Sequence, residues 1–501
     1  MTEGGENRVK DLLHLPLLGP LLRSAWFWRL CRLLLLALTL VVIASGWHHH
    51  GIPGVTAEDA LMYTSFATFG LWVLWLMGLV LLALVAGRFW CAVCPFGWLN
   101  GLFSRYGFGY RLPKWLQGML PVTLLLVALQ ISVYLLAIHR YPDYTARLLV
   151  LLLIALIGSA VLFRQRAFCQ LFCPAGAVLK CYARVAPLEL RVRDAEVCAN
   201  CESVQCVSRQ PFWKKYSFGG AILHLQRRRP GCPVDLHPRQ IDDNGDCTLC
   251  MNCVENCCND NLRLGFRPWL KEIGHAVLGR GETFMLLVLT GMVTANFSKV
   301  NVPLRETIFA LPKQTTLLLG WQADGYFLLA ALWITLLLPL LLVLPGMLIY
   351  RLRHLVVSSV SDPQEPGQLV ERRSIFNGLS ELLLPAIPLL LGAHLILAVV
   401  KLNAKLAYLP LALSDLSGVK SYLAVHLLGT LAQPGILLSL DLLKWLVLAL
   451  LIISYLIALF SARRIAQSRS GGRFYFVGML VNLSLLASLY LDTVIRWLFL
   501  R

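Results

Sequence analysis

Residues 198–258 hold nine of the fifteen cysteines of the chain, and their spacing is specific. Cys247, Cys250, Cys253 and Cys257 read C-x2-C-x2-C-x3-C. Three thiolates one short turn apart can wrap a cubic [4Fe-4S] cluster, and in paired sites the fourth cysteine of such a run crosses to the neighbouring cluster. Cys198, Cys201 and Cys206 form a looser triplet, and Cys232 is a remote cysteine followed by Pro233. The crossed reading gives cluster one Cys198, Cys201, Cys206 and Cys257. Cluster two takes Cys247, Cys250, Cys253 and Cys232, and Cys258 is spare. Zinc is the competing occupant, because C-x2-C pairs also build tetrahedral zinc sites. Zinc is satisfied by four sulfurs and has no use for a third x2-spaced cysteine or a Cys-Pro ending, so the spacing favours iron–sulfur.

A smaller set repeats upstream. Cys91 precedes Cys94-Pro95-Phe96-Gly97 as C-x2-C, and Cys169 precedes Cys173-Pro174-Ala175-Gly176 as C-x3-C. Four thiolates from two equivalent hairpins could hold a third cluster, bind Cu(I), or work as dithiol/disulfide relays. Buried structural cysteines are the plain alternative. Cys31 and Cys181 have no partner pattern and read as structural. His394 stands inside an apolar run, where an ionisable residue is a haem or quinone candidate, and His426 in a later loop could approach it. No second histidine follows at helical spacing, which weighs against haem. His48, His49 and His50 read as a polar interfacial loop. Asp492 with Arg496, and Asp441 with Lys444, are spaced to pair along a helix.

The elements that must position these residues are membrane helices. The chain is 57% hydrophobic and only 14% charged over 501 residues, and apolar runs of about 20 residues recur, the length a membrane helix needs. Spans are expected near 30–45, 62–86, 118–138, 148–163, 284–297, 326–350, 379–400, 442–460 and 474–494. The net charge of +18 sits in particular loops, the positive-inside pattern, and does not form a nucleic-acid-binding surface. The first apolar run follows a long basic lead with no small-residue cleavage site, so no signal peptide is expected. That lead is expected to lie along the bilayer surface. Loops 301–325 and 402–437 are expected at the outer interface, and the basic loops 351–373 and 461–473 on the inner side.

The fold class is therefore an all-α polytopic membrane protein of about nine transmembrane helices with an inserted cytoplasmic, two-[4Fe-4S], ferredoxin-like domain. Residues 1–186 form four spans in two hairpins, each ending in a Cys-Pro motif; 187–275 form the cluster domain; 276–501 form about five further spans. Nine spans put both Cys-Pro motifs and the cluster domain in the cytoplasm of a bacterial inner membrane, where reduced thiols persist. The insert around Lys214, Lys215, Arg227, Arg228 and Arg229 could dock an acidic donor protein or anionic lipid headgroups.

With Cys91-x2-Cys94-Pro95, Cys169-x3-Cys173-Pro174, GCPVDLHP and CTLCMNCVENC in view, the chain resembles the integral membrane polyferredoxins of the NapH, NosR and CcoG type. These are a quinol-oxidising component of periplasmic nitrate reduction, an accessory protein of nitrous-oxide respiration and a cytochrome oxidase accessory factor. The resemblance covers roughly residues 60–265. Its first cysteine pair is one residue shorter than the family's C-x3-C-P, and five spans follow the clusters where the short quinol-oxidising branch has essentially none.

Clusters tethered to a helix bundle imply one-electron transfer between a cytoplasmic or quinone-linked donor and a membrane or extracytoplasmic acceptor. A copper-handling metal reductase or accessory factor for a respiratory metalloenzyme is the second reading, and a redox-sensing regulator the third. A redox protein or quinone is the expected partner.

Overall fold

The structure is a computed structural model that describes residues 11–500 apart from 105, 164–165, 203, 208–211, 219–220, 228–230, 235, 274–275, 359–374 and 468–471. Arg228 and Arg229 of the basic insert, and most of the basic loop 351–373, lie outside the described residues.

Among the described residues, seven helices are long and apolar enough to cross a membrane: Ala25–Gly46, Phe66–Ala86, Pro142–Leu162, Ala323–Leu352, Gly378–Ser414, Leu440–Gln467 and Arg473–Leu498. Local chemistry sets several ends. Ser24 accepts the Phe27 N–H and starts the first helix at Ala25, earlier than apolarity alone suggests. Pro142 at the first position starts the third.

The other two expected spans are helical but differ in kind. Leu120–Leu136 has 17 residues, short for a perpendicular crossing. Arg280–Ser298 is packed on nearly all sides, with Met285, Val288, Val293 and Thr290 fully buried. A helix enclosed by other helices needs no lipid-facing surface, so it tolerates threonines whose hydroxyls turn back to the chain. Thr290 donates to the Leu286 carbonyl and Thr294 to that of Thr290.

Two segments take a more definite form than the sequence suggests. Residues 301–325 are not an irregular loop. Asn301 accepts the Leu304 N–H, Pro303 sits in the first turn, and the helix Val302–Leu319 closes at Gly320, whose φ of 64° is left-handed. The N-terminal lead leans on the cysteine-rich domain. Arg193 holds Asp11 at 2.8 Å, Arg23 holds Asp260 at 2.6 Å, and Leu13 is buried in that domain's core.

The inserted domain is not purely helical. Strand Leu188–Val192 pairs antiparallel with Leu262–Phe266, Leu190 opposite Leu264, so the two ends of the cysteine-rich segment lie side by side. Phe212–Phe218 and Ala221–Arg227 form a separate antiparallel hairpin. A core of Leu188, Leu190, Ile241, Leu249, Met251 and Leu264 also takes in Trp28 and Ala92. The domain therefore shares its interior with the first membrane helix and the first Cys-Pro motif.

Buried charges lock this junction. Arg184 reaches Asp243 and Glu282, both at 3.1 Å, and Lys180 reaches Asp246 at 2.6 Å and Glu282 at 3.0 Å. Arg267 meets Glu272 at 2.8 Å, and Arg191 meets the same carboxylate. Glu282 opens the central Arg280–Ser298 helix, so the network ties domain to bundle.

Candidate iron–sulfur centres

Two cavities lie in the cysteine-rich domain. One is bordered by Cys198, Cys201, Cys206, Cys257 and Cys258. The other is bordered by Cys232, Cys247, Cys250 and Cys253. Cys257 thus leaves its own run and faces the far triplet, while Cys232 joins the near one. Pro238 borders both cavities, so they are neighbours.

The backbone explains how three close cysteines can face one hollow. Leu249 and Met251, between the cysteines of the C-x2-C-x2-C run, have φ of 50° and 62°. Non-glycine residues in the left-handed region carry strain and occur where a site requires the turn. Their side chains are buried, which holds them in place. Backbone hydrogen bonds add to this frame: Cys232 N–H donates to the Cys206 carbonyl at 3.0 Å, and Asn261 N–H donates to Cys257 Sγ at 3.3 Å. N–H donors to sulfur tune the potential of a cluster.

Bare, these thiols are poor nucleophiles. Burial pushes the Cys247 thiol up to about 12. Burial, with Cys198 and Cys257 beside it, pushes Cys206 up to about 11. They become thiolates when a metal centre compensates the charge. Among the described residues no three His, Cys, Asp or Glu side chains gather closely enough to hold one metal ion. The sulfurs surround spaces instead, so the donor sets fit cubic clusters better than a tetrahedral zinc.

The two Cys-Pro hairpins also converge. In each, a short helix carries the first cysteine, Phe89–Val93 or Ala167–Leu171, and proline starts the next, Pro95–Phe103 or Pro174–Tyr182. Cys173 lies within electrostatic reach of Cys169, Cys94 and Cys91. A Cβ added to Gly97 would stand 3.3 Å from Cys169 Sγ, and one added to Gly176 3.3 Å from Cys173 Sγ, so both glycines clear room for sulfur. Burial and the neighbouring Cys169 push the Cys94 thiol up to about 12. A disulfide relay needs a lowered thiol pKa, and burial works against it here.

A family model described as a 4Fe-4S binding domain matches residues 68–129 and 145–193. That stretch contains both Cys-Pro motifs. The chain is also 26% identical over 234 residues to the protein named "Putative electron transport protein YccM" of Escherichia coli (strain K12). The match covers 41% of this chain and 55% of that protein, so the chain spans about half the length of the curated relative. Both findings are consistent with the resemblance to membrane polyferredoxins. No solved structure gives a significant match.

The remaining expected site residues fall apart. His394 lies in the Ile387–Lys405 helix and hydrogen-bonds Tyr182 through Nδ1 at 2.5 Å. His426 is exposed and packs on Tyr422, ring centroids 4.8 Å apart. The two histidines have different partners and make no haem-like pair. His50 pairs with Asp143 at 3.0 Å and stacks on Tyr141, a structural role at the head of the Pro142–Leu162 helix. Cys181 is fully buried. Arg496 meets Asp492 at 2.8 Å, and Lys444 meets Asp441 at 3.6 Å.

Sequence reasoning missed Arg32, Arg88 and Arg166. It counted such residues toward membrane topology, whereas all three are buried beside the Cys-Pro cysteines. The signal was present: Arg88-x2-Cys91 and Arg166-x2-Cys169 are the same pattern 78 residues apart.

Proposed function

We propose that the chain passes single electrons between a cytoplasmic or quinone-linked donor and a membrane or extracytoplasmic acceptor, using two clusters in its inserted domain. One observation carries this reading: each crossed cysteine set borders its own cavity, and the cavities share Pro238. Cys198, Cys201, Cys206 and Cys257 would hold cluster one; Cys232, Cys247, Cys250 and Cys253 would hold cluster two. A bound [4Fe-4S] cluster supplies one-electron redox chemistry at a potential set by its surroundings.

The chain's own residues divide the task. The first set lies at the rim, with the exposed Cys258 beside it, and suits exchange with a partner. Of the second set, Cys247, Cys250 and Cys253 are buried near Leu190 and Ile241, in a core that includes Trp28 of the first membrane helix. Nine spans in a bacterial inner membrane, with the N-terminus, both Cys-Pro motifs and residues 187–275 in the cytoplasm, agree with the distribution of basic loops.

The test is reduction of detergent-solubilised, anaerobically purified protein by a reduced quinol analogue and, separately, by dithionite, followed by EPR. Clusters reducible by at least one of these, with signals lost in Cys201→Ala and Cys250→Ala, are expected. A folded protein with no cluster signal under either reductant contradicts the reading.

A further inference from the structure

Three buried arginines surround the Cys-Pro cysteines; Asp246 is within electrostatic reach of Arg88 and Glu255 of Arg32, but for Arg88 the cysteines Cys91 and Cys169 weigh more than that carboxylate. Arg32, Arg88 and Arg166 are 7%, 9% and 5% exposed. Arg88 and Arg166 each precede the short helix that carries the first cysteine of a pair. They reach across: Arg166 Nη1 donates to the Cys91 carbonyl at 3.3 Å, and Arg88 lies within electrostatic reach of both Cys91 and Cys169. Arg32, from the first membrane helix, donates Nε to the Ala92 carbonyl at 2.9 Å, between Cys91 and Cys94, and also faces Cys250. Arg32 Nη2 and Arg88 Nε have no hydrogen-bond partner.

Elsewhere in the same molecule buried arginines are neutralised. Arg184 has Asp243 and Glu282, and Arg267 has Glu272. A buried guanidinium without a counter-charge is costly. Three cations with only the more distant Asp246 and Glu255 to offset them favour an anion at the tetrad. Neutral thiols and disulfides do not provide one, whereas four thiolates on a cubic cluster carry net negative charge. Thiolates on a single Cu(I) ion would also be anionic, and the metal content measured below separates the two.

We propose that Cys91, Cys94, Cys169 and Cys173 hold a third iron–sulfur cluster, with Arg32, Arg88 and Arg166 as positioning residues that balance its charge. The inference rests on the reading of the chain as an iron–sulfur carrier. Arg32 bonds the Ala92 carbonyl, between Cys91 and Cys94, and lies within electrostatic reach of Cys250, so the third centre would neighbour the second cavity.

The experiment uses full-length protein, purified anaerobically in detergent and reconstituted with iron and sulfide. About twelve irons per chain are expected, falling to about eight in the Cys94→Ser/Cys173→Ser double variant, four per cubic cluster. Arg166→Gln should keep its iron and shift one midpoint potential downward in an EPR redox titration, because the reduced, more anionic cluster loses a cation. Arg166→Lys should restore most of that shift. If the double variant is not recovered folded, the Arg166 pair of variants decides.

About eight irons in the wild type and no change in the double variant overturns the proposal. So does one copper per chain that the double variant loses with iron unchanged, and so do unchanged potentials in Arg166→Gln. Cys201→Ser and Cys250→Ser are run alongside. Should each of these lose about four irons while the tetrad variants lose none, this proposal fails and the two-cluster reading stands. Should neither lose iron, the two-cluster reading fails as well.

Discussion

The two cavities of the cysteine-rich segment are each bordered by a crossed set of cysteines, in different surroundings. The first opens at the rim beside the exposed Cys258. The second is built into a core that also holds Trp28 and Leu13 from the N-terminal segment and Ala92 from the first Cys-Pro motif. A ligand set that is also core should decide whether the domain folds. A ligand set at the rim should decide mainly whether electrons enter.

The largest expected effect follows from that difference. Cys250→Ala should lose its iron and much of the folded protein, because metal binding at a buried site is part of folding free energy. Cys201→Ala should lose about one cluster with the fold retained. Recovery after detergent gel filtration, with iron content, measures both. Equal recovery of the two variants would remove the distinction.

Next comes the junction between domain and bundle. Arg184→Met leaves Glu282 and Asp243 short of a partner, and breaking such a buried pair typically costs about 3–5 kcal/mol. Thermal unfolding should shift accordingly, and Arg496→Met, at a half-exposed pair, should shift far less. A smaller contrast concerns access. On titration with ferricyanide the rim cluster should bleach first, and the residual spectrum should match that of Cys201→Ala protein.

The smallest effect concerns the N-terminal strap. The hydrogen bond from Arg23 holds the Asp260 carboxyl below the usual carboxylate range. A lowered folded pKa means the contact contributes fully above the unfolded value of about 3.9 and is lost as pH falls through the lowered one. In cluster-loaded protein, hydrogen exchange of residues 12–23 should therefore show no rise beyond the intrinsic rate as pH falls from about 7 to about 5. Asp260→Asn should raise it already at neutral pH. Fast exchange in the wild type at neutral pH would show the strap to be loose.

Much of this was legible in the sequence, for physical reasons. Cysteine spacing reports ligand geometry directly, so the two sets could be proposed before any coordinates. Long apolar runs report lipid contact, and seven of the nine expected spans meet the length and apolarity of a crossing helix. The Arg280–Ser298 helix was harder, because helices surround it and its composition answers to them. The Val302–Leu319 helix was missed although Asn301 and Gly320 mark its ends. Leu249 and Met251 carry no composition signal for a left-handed turn; the cluster loop imposes it. The arginines around Cys91 and Cys169 were hidden because topology offered a sufficient account of each basic residue taken singly.

Cys257→Ser is the most direct measurement. It removes a cysteine that adjoins the Cys247 run in sequence but borders the Cys198 cavity in space. The account predicts an EPR spectrum and iron content matching Cys201→Ser, with the Cys250-dependent signal intact. A spectrum matching Cys250→Ser instead would show that the run keeps its own fourth cysteine, and the crossed arrangement would be wrong.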